Sequence, residues 1–405
     1  MKKALLLRIY TCMLGLVTAF IAPAILYKYL FKGKYRGVLL IRLGLKRPII
    51  PIEEGQSYFW VHAVSLGEAK AATLFVQQLQ QNYPQTKVVF SCLTTTGLSV
   101  AKQIPGVIPL ILPQDYLTKG LIKQVNPKAI FFVEGDLWPN MLDAKCPIYV
   151  LNGKISQKTA WILSRFSFVK QLLIEPVRFW CVQSDLVKDR LELLGVEPAK
   201  IAVTTDIKMS LEPVAKQMQY PEGILVISTH PKEEELLMEQ LLQLNKIIYL
   251  APRHPERCKE VEQNLEKSKI SFCRYGETLR DGDRVYLINK VGVLADFFYS
   301  CPVTIMGGSF IENIGGHNLV EPILYGSVPF YGPHIFKQLH LHKILQNSRL
   351  DGSTTIETLA NDIQEKIFNP INYCTLQQAI EVCKKDWKRP LEQTCSILFR
   401  LLNLS

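Results

Sequence analysis

The sequence predicts an α/β protein of two doubly wound halves behind a membrane-anchoring helix. Three observations carry that expectation. From residue 57 onward, short β-branched and aromatic runs alternate with helix-length amphipathic stretches, the pattern of parallel sheets covered on both faces. The stretch KMSLEPVAKQMQYPEG at 208–223 lacks a strand pattern and divides the alternation into two similar series. Near the amino terminus, IYTCMLGLVTAFIAPAILY at 9–27 runs without a charge.

Residues 1–35 read as that anchor and its basic flank. At 1.5 Å rise per residue the uncharged run spans about 28 Å, close to one hydrocarbon core. Ala22-Pro23-Ala24 mimics a signal-peptide cleavage site. The apolar stretch continues past it into Lys28, Lys32 and Lys34 with Tyr27 and Tyr29, which suits a retained helix end on an anionic leaflet. More Lys and Arg follow the run than precede it, so the positive-inside tendency predicts a body on the cytoplasmic side of the membrane. The first 47 residues hold ten Lys or Arg and no acid, whereas the remainder holds 37 basic and 36 acidic residues. The net charge of +11 therefore belongs to one segment and gives no support for nucleic-acid binding.

Residues 36–207 form the first predicted domain, with strands YFWVHAV, KVVFS, VIPLIL, AIFFV, IYVL and FWCVQ. A linker follows at 208–222. Residues 223–375 form the second domain, with ILVIS, IIYLA, VYLI, VTIM and VPF, and 376–405 read as helices whose SILFRLLNL needs a packing partner. Helical patterns fall at 68–81, 158–172, 184–194, 232–245 and 317–325. Two such domains facing one another create a crevice at the carboxyl ends of their strands. The ten cysteines contain no CxxC pair, and several lie in apolar strand-like runs such as FWCVQ, which reads as buried free thiols in a reducing compartment. No zinc-type or HExxH spacing appears, so no metal and no cofactor is expected.

Chemistry-bearing residues cluster at strand ends. In WVHAVSLGEAKA, Ser65 and Glu68 have capping-box spacing, and Glu68 also stands where a general base would. Glu134 and Asp136 follow AIFFV directly, although Asp136 also reads as a cap for a helix containing Trp138 and Asn140. In the second half, Gly307, Gly308 and Ser309 follow VTIM, and Gly315-Gly316-His317-Asn318 precede LVEPILYG. Glycines there let backbone N–H groups approach a phosphate, with His317, Asn318 and Glu321 beside them. Arg253 and His254 lie between Pro252 and Pro255, a stiff loop suited to a phosphate or a pyrimidine edge. A base on one domain and anion binding on the other suit group transfer.

These stretches in this order, with VEGDLWPN, LNGKIS, VQSD, TDIK, STHPKEE, APRHPER, MGGSF, GGHNLVEP and YGPH, resemble the 3-deoxy-D-manno-oct-2-ulosonic acid (Kdo) transferases. Those are inverting glycosyltransferases of the GT-B fold, and the resemblance covers most of the chain. It implies transfer from CMP-Kdo to a tetraacylated lipid A precursor, lipid IVA, in lipopolysaccharide synthesis without metal. Glu68 then matches the general base, while Glu134 and Lys208 match residues that organise the base and the donor. Pro252 and Arg253 match the nucleotide loop, and Asn318 and Glu321 match phosphate and ribose contacts. Two departures stand out: in NKVGVLA, Asn289 and Val293 replace acids, which leaves the backbone of Gly292, Val293 and Leu294 to bind the donor. The competing readings are a GT-B enzyme using a UDP-sugar and a silent membrane-bound relative. A carboxylate at a helix N-terminus is expected to stay ionised and to be a weaker base.

Overall fold

The computed structural model describes residues 2–32, 38–211, 220 and 222–404. Most of the expected linker, residues 33–35 of the basic flank and residues 36–37 of the first expected domain lie outside these. The chain divides into two compact units, Met1–Leu211 with Arg389–Ser405, and Glu212–Lys388.

The first unit is built on a seven-stranded parallel sheet of order β3-β2-β1-β4-β5-β6-β7. Its strands are β1 (Ser57–His62), β2 (Thr86–Cys92), β3 (Val107–Ile111), β4 (Ala129–Val133), β5 (Ile148–Gly153), β6 (Phe179–Val182) and β7 (Ile201–Val203). Every residue of β4 is buried, as expected of a central strand covered on both faces. The strand period of two sends Tyr58 and Trp60 into one core with Phe132 and Trp180. Phe59 and Val61 enter the opposite core with Phe75, Phe131 and Leu398. That second core is closed by the helix Arg389–Asn403, whose Phe399 lies 6.1 Å from the Phe75 ring. SILFRLLNL thus packs within the first unit, whereas the preceding helix Pro370–Asp386 belongs to the second.

The second unit carries a six-stranded parallel sheet of order β10-β11-β9-β8-β12-β13. The strands are β8 (Gly223–Thr229), β9 (Ile247–Pro252), β10 (Phe272–Arg274), β11 (Val285–Leu287), β12 (Val303–Met306) and β13 (Val328–Tyr331). In both sheets the order reverses beside the first strand: β1 lies between β2 and β4, and β8 lies between β9 and β12. Crevices at such reversals are the usual ligand positions in open α/β sheets.

Three local expectations need correction. The helical pattern at 158–172 is two helices, Gln157–Arg165 and Ser167–Leu173, broken at Phe166 with φ −120° and ψ 88°. The pattern at 317–325 yields only Val320–Leu324. Residues 134–146 form turns rather than a helix, so Asp136 caps nothing. The amino-terminal helix runs Lys2–Lys32 through Pro23. Lys3–Ala24 within it has a mean hydropathy of 2.0 and is long and apolar enough to cross a membrane.

Candidate active site

In the first unit the groups gather where β1 and β4 end. Ser65 is the N-cap of the helix Leu66–Asn82, and the capping box is complete. The Val64 amide donates to Glu68 Oε2 at 2.8 Å, the Ser65 hydroxyl donates to Oε1 at 2.8 Å, and the Glu68 amide donates to Ser65 Oγ at 3.4 Å. Glu68 is only 8% exposed, so its carboxylate is folded into the turn rather than projecting from it. Each oxygen still has a second lone pair.

Burial, then the charge of Glu134, push the Glu68 carboxyl above the usual range, and the bonds from Val64 and Ser65 oppose them only in part. This corrects the expectation of a weakened base. Desolvation outweighs the hydrogen bonds made at the helix terminus, and a carboxyl raised in this way accepts a proton more readily.

Glu134 begins the loop after β4 in the left-handed region, at φ 66°, a conformation non-glycine residues adopt sparingly. Its neighbour must be glycine, since a Cβ on Gly135 would stand 2.5 Å from the Lys154 carbonyl oxygen. Lys208 donates through Nζ to Glu134 Oε1. Burial alone would lower the Lys208 pKa, but the charges of Asp206, Glu134 and Glu68 outweigh it and raise it. Two residues not singled out from the sequence hold this lysine in place. Asn152 Nδ2 donates to Asp206 Oδ1 at 3.0 Å, and Asp206 Oδ1 accepts from the Lys208 amide at 2.9 Å. Asp136 is exposed and adds to the negative field on Glu68.

In the second unit the ends of β8, β9, β11 and β12 bring Thr229–His230, Pro252–Arg253, Gly292–Leu294 and Gly307–Ser309 to one sheet edge. Here the expected phosphate seat is corrected. The Gly308 amide donates to Glu233 Oε2 at 2.7 Å and the Phe310 amide to Oε1 at 3.1 Å. The Gly307 amide donates to the Ile227 carbonyl, and Ser309 Oγ is bonded to Met306 and Gly332. An internal carboxylate, Glu233, fills the nest that a phosphate would use. Glycine at 307 answers instead to close packing, because a Cβ would lie 2.6 Å from the Ser228 carbonyl oxygen.

The groups left to meet an anion are Arg253, His230, His317 and the amides of Gly292, Val293 and Leu294. Arg257 is held by Glu234 at 2.9 Å, whereas Arg253 is exposed and has no carboxylate partner among the described residues. The rings of His230 and His317 stack with Nε2 atoms 3.0 Å apart. Burial first, and Arg253 second, lower the His317 pKa to about 4. Asn318 Oδ1 accepts from the Val320 amide at 3.1 Å, and Glu321 sits in the first turn of the short helix that Val320 begins. Val293 is buried and Gly292 exposed, at φ 87°. A separate concavity of 710 Å³, lined by Lys246, Tyr299 and Tyr373, contains none of these residues.

Comparison with known proteins fits this architecture. A family model described as 3-deoxy-D-manno-octulosonic-acid transferase matches residues 39–211. The 3-deoxy-D-manno-octulosonic acid transferase of Chlamydophila psittaci is 31% identical over 82% of this chain and 82% of its own length. That of Chlamydia trachomatis serovar A is 27% identical over 98% of this chain and 97% of its own. Among solved structures, a glycosyltransferase from Rickettsia africae superposes with a TM-score of 0.59 at 13% identity, covering 87% of this chain and all of that one. Anabaena HepE in complex with UDP gives 0.59 at 12% identity, covering 86% and 100%. The likeness to these two is one of fold. On the extent of its sequence match, the chain belongs to the 3-deoxy-D-manno-octulosonic acid transferase family, glycosyltransferases of the GT-B fold.

Proposed function

We propose that the protein transfers Kdo from CMP-Kdo to a tetraacylated lipid A precursor, lipid IVA, at the cytoplasmic face of the inner membrane, in lipopolysaccharide synthesis. The observation that carries this reading is the desolvated Glu68 carboxylate beside the Glu134–Lys208 pair, at the strand-order reversal of the first unit. The acceptor hydroxyl oxygen attacks the anomeric carbon of Kdo, and the bond from that carbon to the CMP phosphate oxygen breaks. CMP leaves with the electron pair, and the hydroxyl proton passes to Glu68. Attack opposite the leaving group inverts the anomeric centre.

Glu134 raises the proton affinity of Glu68, and Lys208, paired with Glu134, moderates that field. Arg253, the His230–His317 pair and the amides of residues 292–294 take the charge that develops on the departing phosphate. Pro252 stiffens the arginine loop, and Asn318 and Glu321 are the counterparts of the family's phosphate and ribose contacts. The helix Lys2–Lys32 holds the enzyme at the bilayer that carries its acceptor.

The test is nucleotide release from the purified full-length chain, offered CMP-Kdo or UDP-sugars with and without the lipid acceptor. Acceptor-dependent release of CMP is expected. Release of UDP, or CMP release unaffected by acceptor, would remove the reading.

A further inference from the structure

One cluster in the first unit has no part in the chemistry above, and two of its buried nitrogens are left unbonded by the described residues. His62, at the end of β1, is 1% exposed. Trp60 Nε1 donates to Ser91 Oγ at 2.8 Å, and Ser91 Oγ lies 2.8 Å from His62 Nδ1 but 3.5 Å from the Val61 carbonyl. Ser91 Oγ thus has both Trp60 and His62 as partners, and the tautomer of the neutral imidazole decides whether Nε2 carries the ring hydrogen. His62 stays neutral, since burial lowers its pKa to about 3. Among the described residues its Nε2 is buried without a partner, and so is Nη1 of Arg42.

Both side chains border one ring. The Arg42 guanidinium carbon is 5.5 Å from the Trp138 centroid, and the His62 ring is 5.5 Å from it at 71°. Burial lowers the Arg42 pKa with no carboxylate opposing it, so the guanidinium has no counter-charge among the described residues. Orphan buried donors destabilise a fold and mark either an unseen water or a ligand. A water would leave the guanidinium charge uncompensated; an oxyanion bonds the Arg42 donor, balances its charge and selects the His62 tautomer with hydrogen on Nε2.

Position identifies where that oxyanion comes from. Trp138 lies four residues beyond Glu134 in the same turn-rich segment. Asn140, two further on, accepts from Thr11 of the apolar helix at 3.2 Å, and Asp115 bonds both Asn140 and Tyr10 of that helix. The orphan donors thus sit between the catalytic loop and the membrane-compatible helix. We propose that Arg42, His62 and Trp138 form an oxyanion subsite for a phosphate carried on the head group of the lipid acceptor. This rests on the transfer reading above and deepens it by naming what fixes the acceptor sugar near Glu68.

The test compares a tetraacylated glucosamine disaccharide bearing phosphates with the same lipid dephosphorylated. Wild type is expected to show an acceptor KM about 10- to 100-fold lower for the phosphorylated form, the range a charge-assisted contact gives. R42Q should bring that ratio near one, and R42K should lie between because it loses the fork geometry. The KM for CMP-Kdo should not move, and melting curves confirm that both variants fold. A ratio unchanged in R42Q overturns the proposal, as does a loss that tracks the phosphatidylglycerol content of the vesicles rather than the acceptor phosphates. If wild type transfers Kdo to neither lipid, the functional reading fails, and direct binding of the two lipids to wild type and R42Q still decides the subsite.

Discussion

Glu68→Gln separates the two roles that converge on this side chain. As half of a capping box, Glu68 accepts from the Val64 amide and the Ser65 hydroxyl. Glutamine retains one carbonyl oxygen and is itself an accepted capping-box residue, so the lost second acceptor costs about 1 kcal/mol or less. A compensating gain follows from the sign of the pKa shift. The folded pKa of Glu68 lies above its unfolded value, so ionising it in the folded state lowers stability as pH rises between the two values. A neutral glutamine removes that penalty above the folded pKa. The melting temperature should therefore shift by no more than about 2–4 °C, the change that ~1 kcal/mol produces in a unit of this size. Loss of the proton acceptor should lower kcat about 10²–10⁴-fold.

Ser65→Ala provides the opposite control. It removes the cap, at about 1 kcal/mol, along with a bond that lowers the Glu68 pKa, so the acid limb of kcat/KM should move to higher pH. Acceptor-dependent CMP release and calorimetry on both variants supply the data. Retention of more than about a tenth of the activity by Glu68→Gln, outside the range of lost general-base catalysis, would refute the base assignment.

The neighbouring charges give predictions of opposite sign. Glu134→Gln removes the second-largest cause of the raised Glu68 pKa; the acid limb should move to lower pH, and a stationary limb contradicts the coupling. Lys208→Ala should move that limb upward and cost about 1.5–3 kcal/mol by leaving Glu134 half-buried and unpaired, which thermal unfolding checks. Glu233→Ala strands the amides of His230, Gly308 and Phe310. It should cost about 3 kcal/mol or more and weaken CMP binding by titration calorimetry, because the loop after β12 loses its anchor.

The sequence was most legible where one local rule decides. The fully buried run Ala129–Val133 and the Ser65/Glu68 cap depend on period and spacing alone. β7 and β10 went unread because each is a three-residue edge strand, too short for a period to register. The occupied nest at Gly308 was invisible for a different reason. Its anion is Glu233, 75 positions away in the chain, and no local pattern reports a contact at that separation. The direction of the Glu68 shift likewise turns on burial and on Glu134, a neighbour supplied by the pairing of β1 with β4. Nothing local marks His62 or Arg42, since a histidine in a strand and an arginine near the start of the first domain look ordinary in sequence.

Mass spectrometry of the acceptor tests the central claim most directly. A tetraacylated lipid A precursor incubated with CMP-Kdo and the wild-type chain should gain the mass of one or more Kdo residues, and the folded Glu68→Gln variant should leave it unaltered over the same period. An acceptor unaltered by wild type despite intact donor, or modified equally by both proteins, would contradict the account.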